Sequence, residues 1–180
     1  MEIEAHILAA GTEAVIAYRD MSGCRQDNEV PEMFISSLMA IKLHEALGLL
    51  AKAEHQYTQI AEDLLGQELK RDRCGKITGF RADIALYNNV RPMALIEVKK
   101  FAEGMNVQEI DTDLHKGDPV LPLSKLVYAA VMVCETENGD DLGVRKEALE
   151  GITGSHWQYS NPVTSRDGAW RWCFACGRIA

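Results

Sequence analysis

The sequence predicts an α/β (α+β) fold, with helices and strands interleaved along one chain, and three observations carry that expectation. Residues 79–100 have the pattern of a β-hairpin: apolar and β-branched residues fill 82–87 and 93–98, and Asn88, Asn89 and Pro92 supply turn chemistry between them. Residues 31–50 carry Phe34, Leu38, Ile41, Leu43, Leu47 and Leu50, apolar on most sides, which predicts a buried helix. Leu126 to Cys134 is an unbroken apolar and β-branched run, the pattern of a buried core strand. A length of 180 residues with 47% hydrophobic content suits one domain, 1–180, with a sizeable core.

From the N-terminus, Ile3, Ile7, Leu8, Val15, Ile16 and Tyr18 mark a loosely periodic helix over 2–19, broken at Gly11. Asp20 to Glu29 is polar and contains Gly23, hence a loop, and Pro31 suits the first turn of the buried helix. Residues 51–58 read as a short strand and 59–69, with Ile60, Leu64 and Leu65, as a short helix. A loop then runs from Lys70 to Arg81. Beyond the hairpin, Val107, Ile110 and Leu114 form one stripe of a helix over 103–116, ended by Gly117, Pro119 and Pro122. Residues 138–143 are a turn and 144–152 a short helix. His156 to Ile179 reads as a C-terminal hairpin turning at Ser165-Arg166-Asp167-Gly168.

The hairpin over 79–100 concentrates charge. With its loop centred on Val90, Tyr87 faces Met93, Ala85 faces Leu95 and Asp83 faces Glu97, all on one face by the strand period of two. Lys99 falls on that face as well. Ala82, Ile84, Leu86, Ala94, Ile96 and Val98 occupy the other, an apolar surface that has to be covered. Carboxylates placed opposite each other repel unless a cation sits between them. Mg²⁺ (or Mn²⁺) meets that need, because it takes one or two carboxylates together with waters and phosphate oxygens, and Lys99 is placed to hold or activate an attacking water. Glu-x-Lys alone is common on solvated strands; the opposed Asp83 makes the difference.

Asp83, followed across a hairpin by Glu97-x-Lys99, resembles the active-site signature of the PD-(D/E)xK nuclease superfamily, with Ala82 where that signature has proline. Pro31-Glu32-Met33-Phe34 at a helix start, and Ala53-Glu54-His55-Gln56-Tyr57 at the position of a first core strand, are similar to members of this superfamily without a well-defined role. The resemblance covers about residues 30–135. It implies a restriction-endonuclease-like αβββαβ core, a mixed central sheet flanked by helices, with the 103–116 helix and the 126–134 strand completing it. It further implies a metal-dependent nuclease acting on DNA, with Asp83 and Glu97 as metal ligands, the Val98 carbonyl joining them and Lys99 acting on the water. Glu32 matches the first-helix glutamate that assists through a water. Its other reading is a carboxylate favoured by the helix dipole. Asp111, Asp113 and Lys116 could edge the site but, like Glu45, read first as helix-surface charges.

Composition limits the partners. The net charge is −8, with 19 basic against 27 acidic residues, so DNA affinity requires a local patch. The 70–81 loop holds five basic residues against one acid, and Arg71, Arg73, Lys76 and Arg81, with Lys100, are the phosphate-contact candidates; a solvated loop is the competing reading. Cys24, Cys74, Cys134, Cys173 and Cys176 form an odd, scattered set that suits a reducing, cytoplasmic setting, and the lone Cys173-x-x-Cys176 is assigned no metal. The acidic N-terminus and the absence of a long apolar run predict neither signal peptide nor membrane partner. Trp157, Tyr159, Trp170, Trp172 and Phe174 at strand spacing suit either core packing, the commoner use, or base stacking. Besides the nuclease, the pattern allows a catalytically silent nucleic-acid- or protein-binding module of the same fold, and a homodimer or other protein partner is compatible with both.

Overall fold

A computed structural model of the chain describes residues 3–23, 29–66, 77–102, 106–115, 126–135, 141–152 and 155–179. Two helices open it, α1 (Ile3–Ser22) and α2 (Glu32–Leu47), followed by strand β1 (Leu50–Gln56) and helix α3 (Tyr57–Leu65). The hairpin is β2 (Arg81–Asn88) and β3 (Arg91–Phe101); then come α4 (Val107–Leu114), β4 (Val127–Cys134), α5 (Leu142–Glu150), β5 (Ser155–Tyr159), β6 (Val163–Thr164) and β7 (Arg171–Ile179). The strands form one mixed sheet in the order β1-β2-β3-β4-β7-β5, with β6 paired to β7. β3 and β4 run parallel, and α4 lies on the crossover between them, as a parallel pair requires. This is the α/β arrangement of helices around a mixed sheet that the sequence predicts. Among the described residues no helix is long and apolar enough to cross a membrane.

Both faces of the sheet are covered, which explains why β4 is apolar throughout: all eight of its residues are buried. On one face α1 and α2 pack Ile7, Val15, Ile35, Met39 and Leu43 against Ile84, Ile96, Val98, Trp172 and Phe174. On the other, α3, α4 and α5 place Tyr57, Ile60, Ile110, Leu114 and Leu149 over Ala85, Tyr87, Leu95, Val131 and Val133. The buried stripe of α2 is thus Ile35, Met39 and Leu43, with Phe34 and Leu38 partly buried beside it; Ile41 is 54% exposed and Glu45 lies in solvent. Trp172 and Phe174 are buried in the first core, while Trp157 and Tyr159 pack half-buried against the second. Cys173 and Cys176 point to opposite faces of β7, into different cores, so they do not share one site.

The helix expected to break at Gly11 runs straight through it. A Cβ at position 11 would stand 2.5 Å from the ring of Phe174, so the glycine is a contact surface for β7 and not a helix stop. Gly11→Val changes helix propensity by only a few tenths of a kcal/mol, yet forces its methyls into a ring that is 0% exposed. We expect a loss of about 2 kcal/mol or more, read as a lower urea midpoint. Unchanged stability would show that Phe174 can move aside.

The hairpin turns tightly at Asn89-Val90, with Asn89 in the left-handed region (φ 56°) that asparagine tolerates. Ile84 pairs with Ile96 and Ala85 with Leu95, as the spacing predicts, but the register shifts beyond Leu86 and Tyr87 pairs with Pro92 in place of Met93. Pro92 has no N–H to give to a ladder, and a bulge is where a strand accommodates it. Met93 is left 46% exposed. Ala82, expected on the face of Ile84, instead packs with the second core. The change coincides with Glu54 on the neighbouring strand, whose backbone is left-handed (φ 50°) between the Ala53–Ile84 and His55–Ala82 pairs.

Candidate active site

The ladder between β2 and β3 ends at Ile84–Ile96, while β3 continues along β4 as far as Phe101–Val133. Beyond that point the β2 side of β3 offers backbone N–H groups with no strand to receive them, and carboxylates take their place. Asp83 Oδ2 accepts the N–H of Val98 at 2.7 Å, and Glu32 Oε1, from the first turn of α2, accepts the N–H of Lys100 at 2.9 Å. Asp83 is thus the first residue of β2 beyond the paired stretch, and its bond to the Val98 amide holds it beside the segment of β3 that carries Glu97. The parting of two strands therefore collects Glu32, Asp83, Glu97 and Lys99 along four residues of β3.

Glu97 is 1% exposed. A carboxylate that deep is costly without partners, and one partner is the phenol of Tyr57, the first residue of α3, which donates to Glu97 Oε1 at 2.9 Å. Burial first, then the charge and hydrogen bond of Glu97, then the charges of Asp113 and Asp83 push the Tyr57 hydroxyl well above the ordinary phenol range, so it stays a donor. Lys99 forms an ion pair with Asp113 on α4, Nζ to Oδ2 2.9 Å, with side chains 25% and 12% exposed. Asp113 is thus no surface charge, contrary to its first reading, because it lies three residues from Ile110 on the buried side of α4. Asp111 does behave as a helix-surface group, paired with His115 at 3.4 Å.

Comparison of the chain with models of protein families, with curated proteins and with solved structures finds no match. The chemistry of the site has to be read from its own residues. Among the described residues no group of three or more His, Cys, Asp or Glu side chains is arranged to hold a metal. The oxygens on offer are the carboxylates of Asp83 and Glu97 and the Val98 backbone; the Val98 side chain lies in the first core. Hard oxygens from two carboxylates fit Mg²⁺ or Mn²⁺, which complete their shells with water and phosphate. They do not fit the nitrogen and sulfur preference of a structural zinc.

Of the phosphate-contact candidates, Arg81 is exposed at the start of β2 and Lys100 is half-buried at the site edge. Arg71, Arg73 and Lys76 lie outside the described residues, as does Lys116. Sequence spacing does not single out Tyr57, and it gives Asp113 only a place at the edge of the site, behind its reading as a surface charge. Tyr57 was placed in a strand that ends at Gln56, although Tyr57, Ile60, Ala61 and Leu64 form an i, i+3, i+4, i+7 stripe whose hydroxyl had to find a buried partner. Asp113 carried a similar signal, its i+3 spacing from Ile110.

Proposed function

We propose that the protein is a Mg²⁺- or Mn²⁺-dependent nuclease that hydrolyses phosphodiester bonds of DNA in the cytoplasm. The observation that carries the reading is Glu97: a nearly solvent-free carboxylate, with Asp83 bound to the amide of the next residue, Val98, and Lys99 following on the same strand. The resemblance of Asp83…Glu97-x-Lys99 to the PD-(D/E)xK signature supports it.

In this reading Asp83 and Glu97 hold the ion, with the Val98 carbonyl. The ion, when bound, supplies positive charge to the phosphate and eases formation of the nucleophile at neutral pH. Lys99 orients the attacking water and faces the negative charge that develops on the phosphorus oxygens. Asp113 fixes the lysine side chain in the orientation from which it acts. Glu32, anchored on the Lys100 amide, assists from the opposite end of the same strand segment. The deciding experiment is incubation with supercoiled plasmid, linear duplex and single-stranded DNA, each with Mg²⁺, Mn²⁺ or chelator. Metal-dependent cleavage of any of them is expected. Binding without cleavage under every condition would leave the silent binding module.

The basic residues of the 70–81 stretch add a separate expectation. If Arg71, Arg73 and Lys76 contact phosphates, changing all three to Gln removes about three released counterions. The slope of log affinity against log salt on duplex DNA then becomes shallower by about 2.7. An unchanged slope removes Arg71, Arg73 and Lys76 from the phosphate contacts.

A further inference from the structure

We propose that Tyr57 is the positioning residue of the cation site, fixing the Glu97 carboxylate in the rotation from which it binds a divalent ion. The inference rests on the reading of Asp83 and Glu97 as that site. A carboxylate at the end of a glutamate side chain has freedom about its last torsion, and its affinity for an ion depends on that angle being set beforehand. Tyr57 sets it from another element, 40 residues away in sequence, by donating to one oxygen of Glu97 at 2.9 Å.

Burial, a backbone bond and a ring contact hold the residue in place. Tyr57 is 0% exposed, its backbone N–H donates to the Phe80 carbonyl at 3.0 Å, and its ring meets the Phe80 ring edge-on with centroids 6.4 Å apart. Gln56, immediately before it, closes β1 against Arg81 of β2. Tyr57 thus stands at the junction of β1 and α3, tied to the residue that precedes β2, and reaches across to β3. A hydroxyl mounted this firmly transmits the geometry of β1, α3 and β2 to one carboxylate oxygen. Partners of this kind, mutated behind a metal ligand, reduce metal affinity or activity by about 10–100-fold.

The alternative is that the bond merely satisfies a buried phenol. A Tyr57→Phe variant keeps the ring and removes the donor, and Tyr87→Phe is its control, since Tyr87 also donates to a carboxylate, Asp63, outside the site at 2.9 Å. Melting temperature is measured while Mn²⁺ or Mg²⁺ is titrated from a chelated start. For Tyr57→Phe the metal concentration giving half of the maximal shift should rise about 10–100-fold, with the shift recovered at high metal. For Tyr87→Phe it should stay within about twofold of wild type.

An unchanged midpoint in Tyr57→Phe, with a normal metal response in wild type, overturns the role of Tyr57 and leaves the cation site standing. No metal response in wild type overturns both. Should Tyr57→Phe fail to fold, tyrosine difference absorption of the wild-type protein decides: a change on metal addition with the midpoint of the thermal shift supports the proposal, and no change overturns it.

Discussion

Lys99→Ala is expected to slow DNA hydrolysis by about 10²–10⁴-fold, the range for removing a group that acts on the nucleophile or on developing charge, while DNA affinity and the metal-induced rise in Tm stay within a few-fold of wild type. In the proposed reading Lys99 acts on the water and the phosphate, while Asp83 and Glu97 hold the ion. Stability will also fall, since the side chain of Asp113 is only 12% exposed and loses its cation; about 3 kcal/mol is the low end for breaking a buried pair. The double variant Lys99→Ala/Asp113→Asn separates the two effects. Removing the stranded charge should restore most of the stability and none of the activity. Single-turnover cleavage at saturating metal, with melts of all three proteins, tests this. Activity of Lys99→Ala within a few-fold of wild type would remove the lysine from the chemistry.

The parts of this site that were legible in the sequence are those fixed by local periodicity. A strand places alternate side chains on one face, and a short turn sets the register, so Ala85–Leu95 and Ile84–Ile96 follow from spacing alone, while Asp83 lies just past the last pair and meets β3 through the Val98 amide. The same reasoning failed one step from the turn, because Pro92 forces a bulge that moves Tyr87 off Met93. It failed again at Ala82, beside the irregular backbone of Glu54.

Contacts between distant elements were not legible. Nothing local tells that the hydroxyl of Tyr57 meets Glu97, that Asp113 meets Lys99, or that Gly11 is the seat of Phe174. Helix periodicity could have marked Tyr57 and Asp113 as inward-facing, yet not what they face. Glu32 had two readings from sequence, dipole or site. Its bond to the Lys100 amide places it at the site without removing the favourable first-turn position, so the two are not exclusive.

The central claim is that Asp83 and Glu97 share a divalent ion, and thermal melts of wild type and Asp83→Asn, each with chelator and with millimolar Mg²⁺ or Mn²⁺, test it without a substrate. The substitution removes one of two like charges at nearly constant volume, and an asparagine oxygen can still accept the Val98 N–H that Asp83 receives at 2.7 Å. In chelator the variant should therefore melt at or above wild type. Wild type with metal about 100-fold over its Kd should gain about 2.7 kcal/mol, roughly 5–10 °C for a domain of this size. The variant should lose most of that gain. If Asp83→Asn instead melts lower in chelator and keeps the full metal shift, Asp83 serves only as an acceptor for the Val98 amide, and the ion is not held between the paired carboxylates.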